Sequence, residues 1–242
     1  MTQTSMTQTG MTQPSMTQPT KAQVITAHKI AGEIALDAPN PAPEWAKASP
    51  ITFCADWQGR NADPTRQTEV RALWTPHTFY LRFACRYLEL FYFDDSGPNG
   101  RRDRLWDRDV AEAFLQPDPS RPRHYKEFEV SPNGLWIDLD IGPRTEGTRS
   151  VASDSAPPGP RHLQSGLTRS VWLNQEEHNW TAELAIPMKA LAANFDPAAR
   201  WRANFYRVEG GHEPRFYSAW QPTKTPQPNF HVPEAFGYLH FA

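Results

Sequence analysis

From about residue 24 onward the chain reads as short apolar runs separated by turn residues, and in the clearest run the apolar positions recur every second residue, the period of a strand and not of a helix. Phe79, Leu81, Phe83 and Cys85 fall on one side of such a strand. The runs Glu69–Trp74 and Phe79–Leu88 read as a hairpin, joined by Thr75, Pro76, His77 and Thr78. Other runs with the same pattern are Val24–Ile30, Ile51–Phe53, Val110–Leu115, Tyr125–Val130 and Leu135–Ile141. Ser131, Pro132, Asn133 and Gly134 make a strong turn between the last two. The pattern resumes at Leu167–Leu173, Trp180–Ile186, Trp201–Val208, Phe216–Trp220 and Tyr238–Phe241. Only Met188–Ala193 reads as helical, with Pro187 at its first position. About a dozen short strands predict an all-β protein, an antiparallel β-sandwich of jelly-roll or immunoglobulin-like form. No second core and no linker interrupt the pattern, so residues 23–242 are expected to form one domain.

Two stretches stand outside this pattern. Residues 1–20 repeat with a period of five, as MTQTS, MTQTG, MTQPS and MTQPT. Methionine is their only sizeable apolar residue, so residues 1–22 are expected to be a disordered tail. The tail lacks the basic and apolar regions of a secretory signal. Met1, Met6, Met11 and Met16 could each serve as a start, which leaves room for an upstream signal. Residues 142–166 hold Gly142, Pro143, Gly147, Pro157, Pro158, Gly159, Pro160 and Gly166, and read as a long surface loop.

Composition narrows the classes. Twenty-four prolines against 13 glycines argue for short stiff connections and against a mainly helical fold. The net charge of −2 gives no electrostatic reason to expect nucleic acid or an anionic membrane as partner. No run of eighteen apolar residues exists to span a bilayer. Cys54 and Cys85 each lie in or beside an expected strand; they read as two small core residues or as one disulfide between neighbouring strands. No Cys/His spacing suggests zinc.

The densest polar cluster is RRDRLWDRDVAE, residues 101–112, with Asp103, Asp107, Asp109 and Glu112 around Trp106. Paired acids there could act on a glycosidic bond. They could bind calcium, although the spacing is not that of an EF-hand. A Trp with carboxylates could also hold a sugar, the ring against its C–H face and the acids accepting from its hydroxyls. The plainest reading is a charged loop with one buried Trp. In a strand starting at Asp109, Glu112 shares a face with Val110 and Phe114, where a lone acid needs a partner. Asp109 falls on the other face, which disfavours the two as a catalytic pair. Nucleophile and phosphate-loop motifs such as G-x-S-x-G, H-E-x-x-H and G-x-G-x-x-G are absent.

The run SAWQPTKTPQPNFHVPEAFG, from Ser218 to Gly237, presents Trp220, Phe230 and Phe236 between prolines. Trp220 and Phe236 are expected in the core. Phe230, between Asn229 and His231, is expected to be exposed on a braced loop.

Four segments in order carry a family resemblance: RALWTPHTFYLRF; LWDRDVAEAFLQP; YKEFEVSPNGLWIDLDI; and WTAELAIPMKAL with WRANFYR, SAWQPT and FHVPEAFG. Together they resemble the family 9 carbohydrate-binding modules and the DOMON-related sandwiches similar to them. The resemblance implies non-catalytic binding of a glycan or small sugar, a link to carbohydrate breakdown, and an extracytoplasmic location. It implies a clamp of Trp106 and Phe230, the latter where the family has Trp. Glu112 matches an acid that bonds sugar hydroxyls, three residues after Asp109. Gln227 matches an amide loosely, and Glu129 stands where the family has Arg. No cofactor is implied, a structural calcium apart. A haem-binding DOMON-type domain is the alternative, with Met188 the only methionine beyond the tail. A glycoside hydrolase and a purely structural module are further ones.

Overall fold

The computed structural model describes residues 23–95, 100–142 and 161–242. The expected tail and most of the 142–166 loop lie outside these residues. The first half of the chain forms β1 (Val24–Lys29), β2 (Ile51–Phe53), β3 (Thr68–Trp74), β4 (Thr78–Arg86), β5 (Val110–Gln116), β6 (Tyr125–Val130) and β7 (Trp136–Ile141). The second half forms β8 (Arg161–His162), β9 (Thr168–Asn174), β10 (Asn179–Pro187), α1 (Met188–Leu191), β11 (Trp201–Glu209), β12 (Phe216–Ala219) and β13 (Gly237–Phe241). Every predicted strand is present to within a residue or two at each end. The helix is shorter than expected, and Pro187 ends β10 as its N-cap. The short β8 has no apolar signature and was not predicted.

The strands join in one ladder of order β8-β7-β6-β5-β11-β13-β1-β3-β4-β10-β9, with β12 beside β11 and β2 beside β3. The ladder curls so that one half covers the other. Phe83 of β4 meets Phe205 of β11 edge-on at 6.1 Å, and the Arg207 guanidinium of β11 lies over Trp180 of β10. The inward residues of both halves form the main core, among them Phe79, Leu81, Phe83 and Cys85, as their alternation predicts. Met188 is buried in this core too.

The sandwich is mixed and not wholly antiparallel, because β1 runs parallel to both β13 and β3. Alternation of apolar residues tells which face is buried but carries no information on strand direction, so this correction lies beyond the pattern. Both cysteines are free; Cys85 is buried, and burial pushes its thiol up to about 11. A second cluster, of Ile30, Trp45, Ala48, Leu73 and Tyr80, lets the segment after β1 cover the outer face of β3 and β4. The opposite outer face, on β5, β6, β7, β11 and β12, holds a third cluster and the site described next.

Candidate functional site

Alternation along β5 sends Ala111, Ala113 and Leu115 into the main core and Val110 and Phe114 into the outer cluster. Glu112 lies between the latter two on the strand. The ladder places Glu112 opposite Glu129 of β6 on one side and opposite Tyr206 of β11 on the other. Phe114 stands opposite Glu127 in the same way. Glu127 and Glu129 are two residues apart and share that face. Three glutamates thus converge, each offering an oxygen within 4.8 Å of the others, and all are buried.

Like charges directly opposite one another on a sheet repel, and burial disfavours each charged form. Burial and the neighbouring Glu127 carboxylate push Glu112 well above the usual range, and Arg215 opposes the shift. Burial, then Glu112 and Glu127, does the same to Glu129. Glu127 is raised by burial, against a hydrogen bond with Glu129 and the nearby His231. His231 Nδ1 lies 3.9 Å from Glu127 and 2.6 Å from the Tyr125 hydroxyl.

Above the acids opens a cavity of about 670 Å³. Glu112, Glu127, Trp106, Tyr217, Phe230 and His231 are among the residues lining it. Trp106 sits in a single 3-10 turn, Leu105–Asp107, entered through Arg104 in the left-handed region at φ 57°. Leu105 is buried and anchors the turn, leaving the Trp106 ring half-exposed at the rim. Arg215, from the connection between β11 and β12, braces this wall. Its Nη1 donates to the Trp106 carbonyl at 3.0 Å and its Nη2 to the Tyr217 hydroxyl at 2.7 Å. The Tyr217 hydroxyl donates in turn to Glu213 at 2.5 Å.

The structure brings Trp106, Glu112 and Phe230 to one cavity, with Glu129 beside Glu112. It corrects the expectation of an exposed Phe230. That residue is 8% exposed and belongs to the outer apolar cluster, because its polar neighbours in sequence do not decide where its ring packs. Asp109 is not at the cavity. It is fully buried on the other face, accepts a hydrogen bond from Gly210 N–H at 2.7 Å, and is raised to about 6 by burial against the pull of Arg207. Gln227 is exposed, and its carbonyl accepts from Thr225. Trp220 and Phe236 are core residues, as expected.

Sequence reasoning passed over Glu127, Arg215, Tyr217 and His231. The signal for Glu127 was its two-residue spacing from Glu129. Arg215 stands at the cavity where the family resemblance looked for a base on β6.

An aromatic-walled cavity with an acidic floor, on the outer face of a sandwich, defines a small-ligand-binding domain of lectin type. The profile of the family described as "Carbohydrate-binding family 9" matches residues 95–241, and the chain belongs to that family. Its function is non-catalytic carbohydrate binding. A protein of the fungus Arthroderma benhamiae named "Extracellular protein" is 29% identical over 183 residues, covering 74% of this chain and 80% of that protein. The fold is shared with a family 9 carbohydrate-binding module of Caldicellulosiruptor kristjanssonii solved with cellotriose, at TM-score 0.60 and 13% identity, covering 90% of this chain and 93% of that one. A second structure of such a module from that organism, solved with glucose, gives TM-score 0.62 at 12% identity, covering 91% of this chain and 96% of that one.

Proposed function

We propose that the cavity between Trp106 and the 228–231 loop is the saccharide site, and that residues 23–242 act as one binding unit with no catalytic step of their own. The observation that carries this reading is the half-exposed Trp106 ring at the rim, with buried acids below it. The apolar C–H face of a pyranose packs against such a ring, and its hydroxyls donate to the carboxyl oxygens. The Caldicellulosiruptor modules solved with cellotriose and glucose make a glucose-type unit the first ligand to test. The fungal relative's name supports an extracytoplasmic setting.

Titration with cellotriose, followed by tryptophan fluorescence, tests the assignment. Trp106 is the one tryptophan on the cavity wall among the described residues. Sugar binding is expected to change the emission, and the change is expected to vanish in Trp106→Phe. A signal that survives in Trp106→Phe places the sugar elsewhere.

A further inference from the structure

The acidic floor gathers more carboxyl groups than a neutral sugar needs. Glu112, Glu127 and Glu129 converge within 4.8 Å of one another. Apart from the carboxyl–carboxyl contact between Glu127 and Glu129, both oxygens of the fully buried Glu129, and Oε2 of Glu127, meet no hydrogen-bond partner among the described residues. Buried oxygens left without donors are costly, so a site that keeps several of them is suited to a ligand rich in donors.

Three basic groups line the same cavity, His231, Arg215 and Arg161, together with Asp140. His231 reaches Glu127 only at 3.9 Å. Arg215 acts on Glu112 through space, but its guanidinium is engaged by the Trp106 carbonyl, the Tyr217 hydroxyl and Glu213. Asp107, from the Trp106 turn, adds a further negative charge beside Glu129. Tyr125 and Tyr206, buried beside the acids, stay neutral phenols, each pushed up by burial.

Three converging acceptors match one donor group in particular. A protonated primary amine directs three N–H bonds at tetrahedral angles. With charge-assisted bonds of about 2.8 Å, its acceptors stand roughly 4.6 Å apart. The three glutamates each offer an oxygen within 4.8 Å of the others, inside the reach of such a group. We propose that the cavity selects amino sugars: hexosamine units with a free, protonated amine held by Glu112 and Glu127 on the cavity wall, with Glu129 buried behind them, and the pyranose face against Trp106. The inference rests on the reading of the cavity as a saccharide site. It also accounts for Glu129 where a base would otherwise be expected, since a base there would repel the amine. An N-acetylated sugar lacks the charge and offers one N–H in place of three, so it fits the floor poorly. Because burial holds the three acids protonated to higher pH than usual, an entering ammonium drives protons off them, and binding releases protons to the buffer.

Calorimetric titration of the full chain with three β-1,4 tetramers of equal length decides the matter: glucosamine, N-acetylglucosamine and glucose. The glucosamine tetramer is expected to bind about tenfold or more tightly than either of the others, with a heat that varies with buffer ionisation. Glu129→Gln is expected to abolish the preference while the glucose tetramer still binds. If that variant melts early, Glu127→Gln carries the same comparison. Trp106→Ala is expected to weaken all three ligands alike. Glucose binding as tight as glucosamine binding overturns the amino-sugar inference and leaves the saccharide site standing. No binding of any tetramer by the folded protein overturns both. Calcium chloride is titrated alone as well. Calcium heat lost in Glu129→Gln, without a preference for glucosamine, makes the floor a metal site and also overturns the inference.

Discussion

Tyr206 and Phe230 lie face to face, their ring centroids 4.1 Å apart and their planes 12° from parallel. The Tyr206 hydroxyl donates to the Phe230 carbonyl at 3.0 Å, so backbone and ring of the loop residue are both pinned to β11. Phe230 is thus a wall of the cavity and a packing residue at once. Phe230→Ala is expected to lower stability by about 3–5 kcal/mol, as for a core aromatic. Denaturant unfolding measures it. A loss below about 1 kcal/mol, the size of a typical surface change, would show that the ring is not packed.

Arg215 is a positioning residue on the other wall, through its bonds to the Trp106 carbonyl and Tyr217 hydroxyl. Arg215→Ala removes these two hydrogen bonds, of about 0.5–1.5 kcal/mol each, together with a weaker surface pair to Glu213. Saccharide affinity is expected to fall by roughly fivefold to a hundredfold. The side chain reaches the surface and anchors no core residue, so the melting temperature should move little. Calorimetry beside thermal melting separates the two effects; a large fall in melting temperature with affinity unchanged would sink the assignment.

Stability should fall as pH rises. Glu112, Glu127 and Glu129 are raised by burial, so the folded protein holds protons that the unfolded chain has released. Their contribution is fully present below the unfolded value near pH 4.3 and is lost as pH rises through the folded values. Asp109, at about 6, adds a loss of the same sign. Each proton involved gives a slope of about 1.4 kcal/mol per pH unit. Urea midpoints between about pH 4.5 and 8 should therefore decline, less steeply in Glu129→Gln. A flat profile in the parent would rule the mechanism out.

Gly237 opens β13 where no side chain fits. A Cβ there would stand 2.7 Å from the Trp220 ring and 2.8 Å from the Gln23 carbonyl. Gly237→Ala must push apart β1 and the Trp220 loop, and is expected to destabilise by about 1–3 kcal/mol, as overpacking does. Thermal melting checks it, and an unchanged midpoint would show that the ladder yields at that point.

Much of the sandwich was legible because burial has a period of two. The Phe79–Cys85 alternation fixed one core face, and the Val110–Phe114 alternation put Glu112 on the face that holds the cavity. What stayed hidden depends on register and on contacts distant in sequence. The connection from Gln116 to Tyr125 is too long to set the β5–β6 register, so the Glu112–Glu129 pairing could not be read. Phe230 looked exposed because its neighbours are polar, while the ring that buries it belongs to Tyr206. Arg215 follows no pattern at all; only the fold of the β11–β12 connection carries it to Trp106.

The parallel pairing of β1 with β13 has a mechanical consequence. The chain enters this pair at Val24 beside Tyr238 and leaves it at Phe241 beside Ala27. A pull that draws these two points apart along the strands slides β1 against β13 lengthwise. The ladder bonds then bear the load together, where a peeling geometry would open them one at a time. The fold is thereby built to resist shear along the line of its own chain.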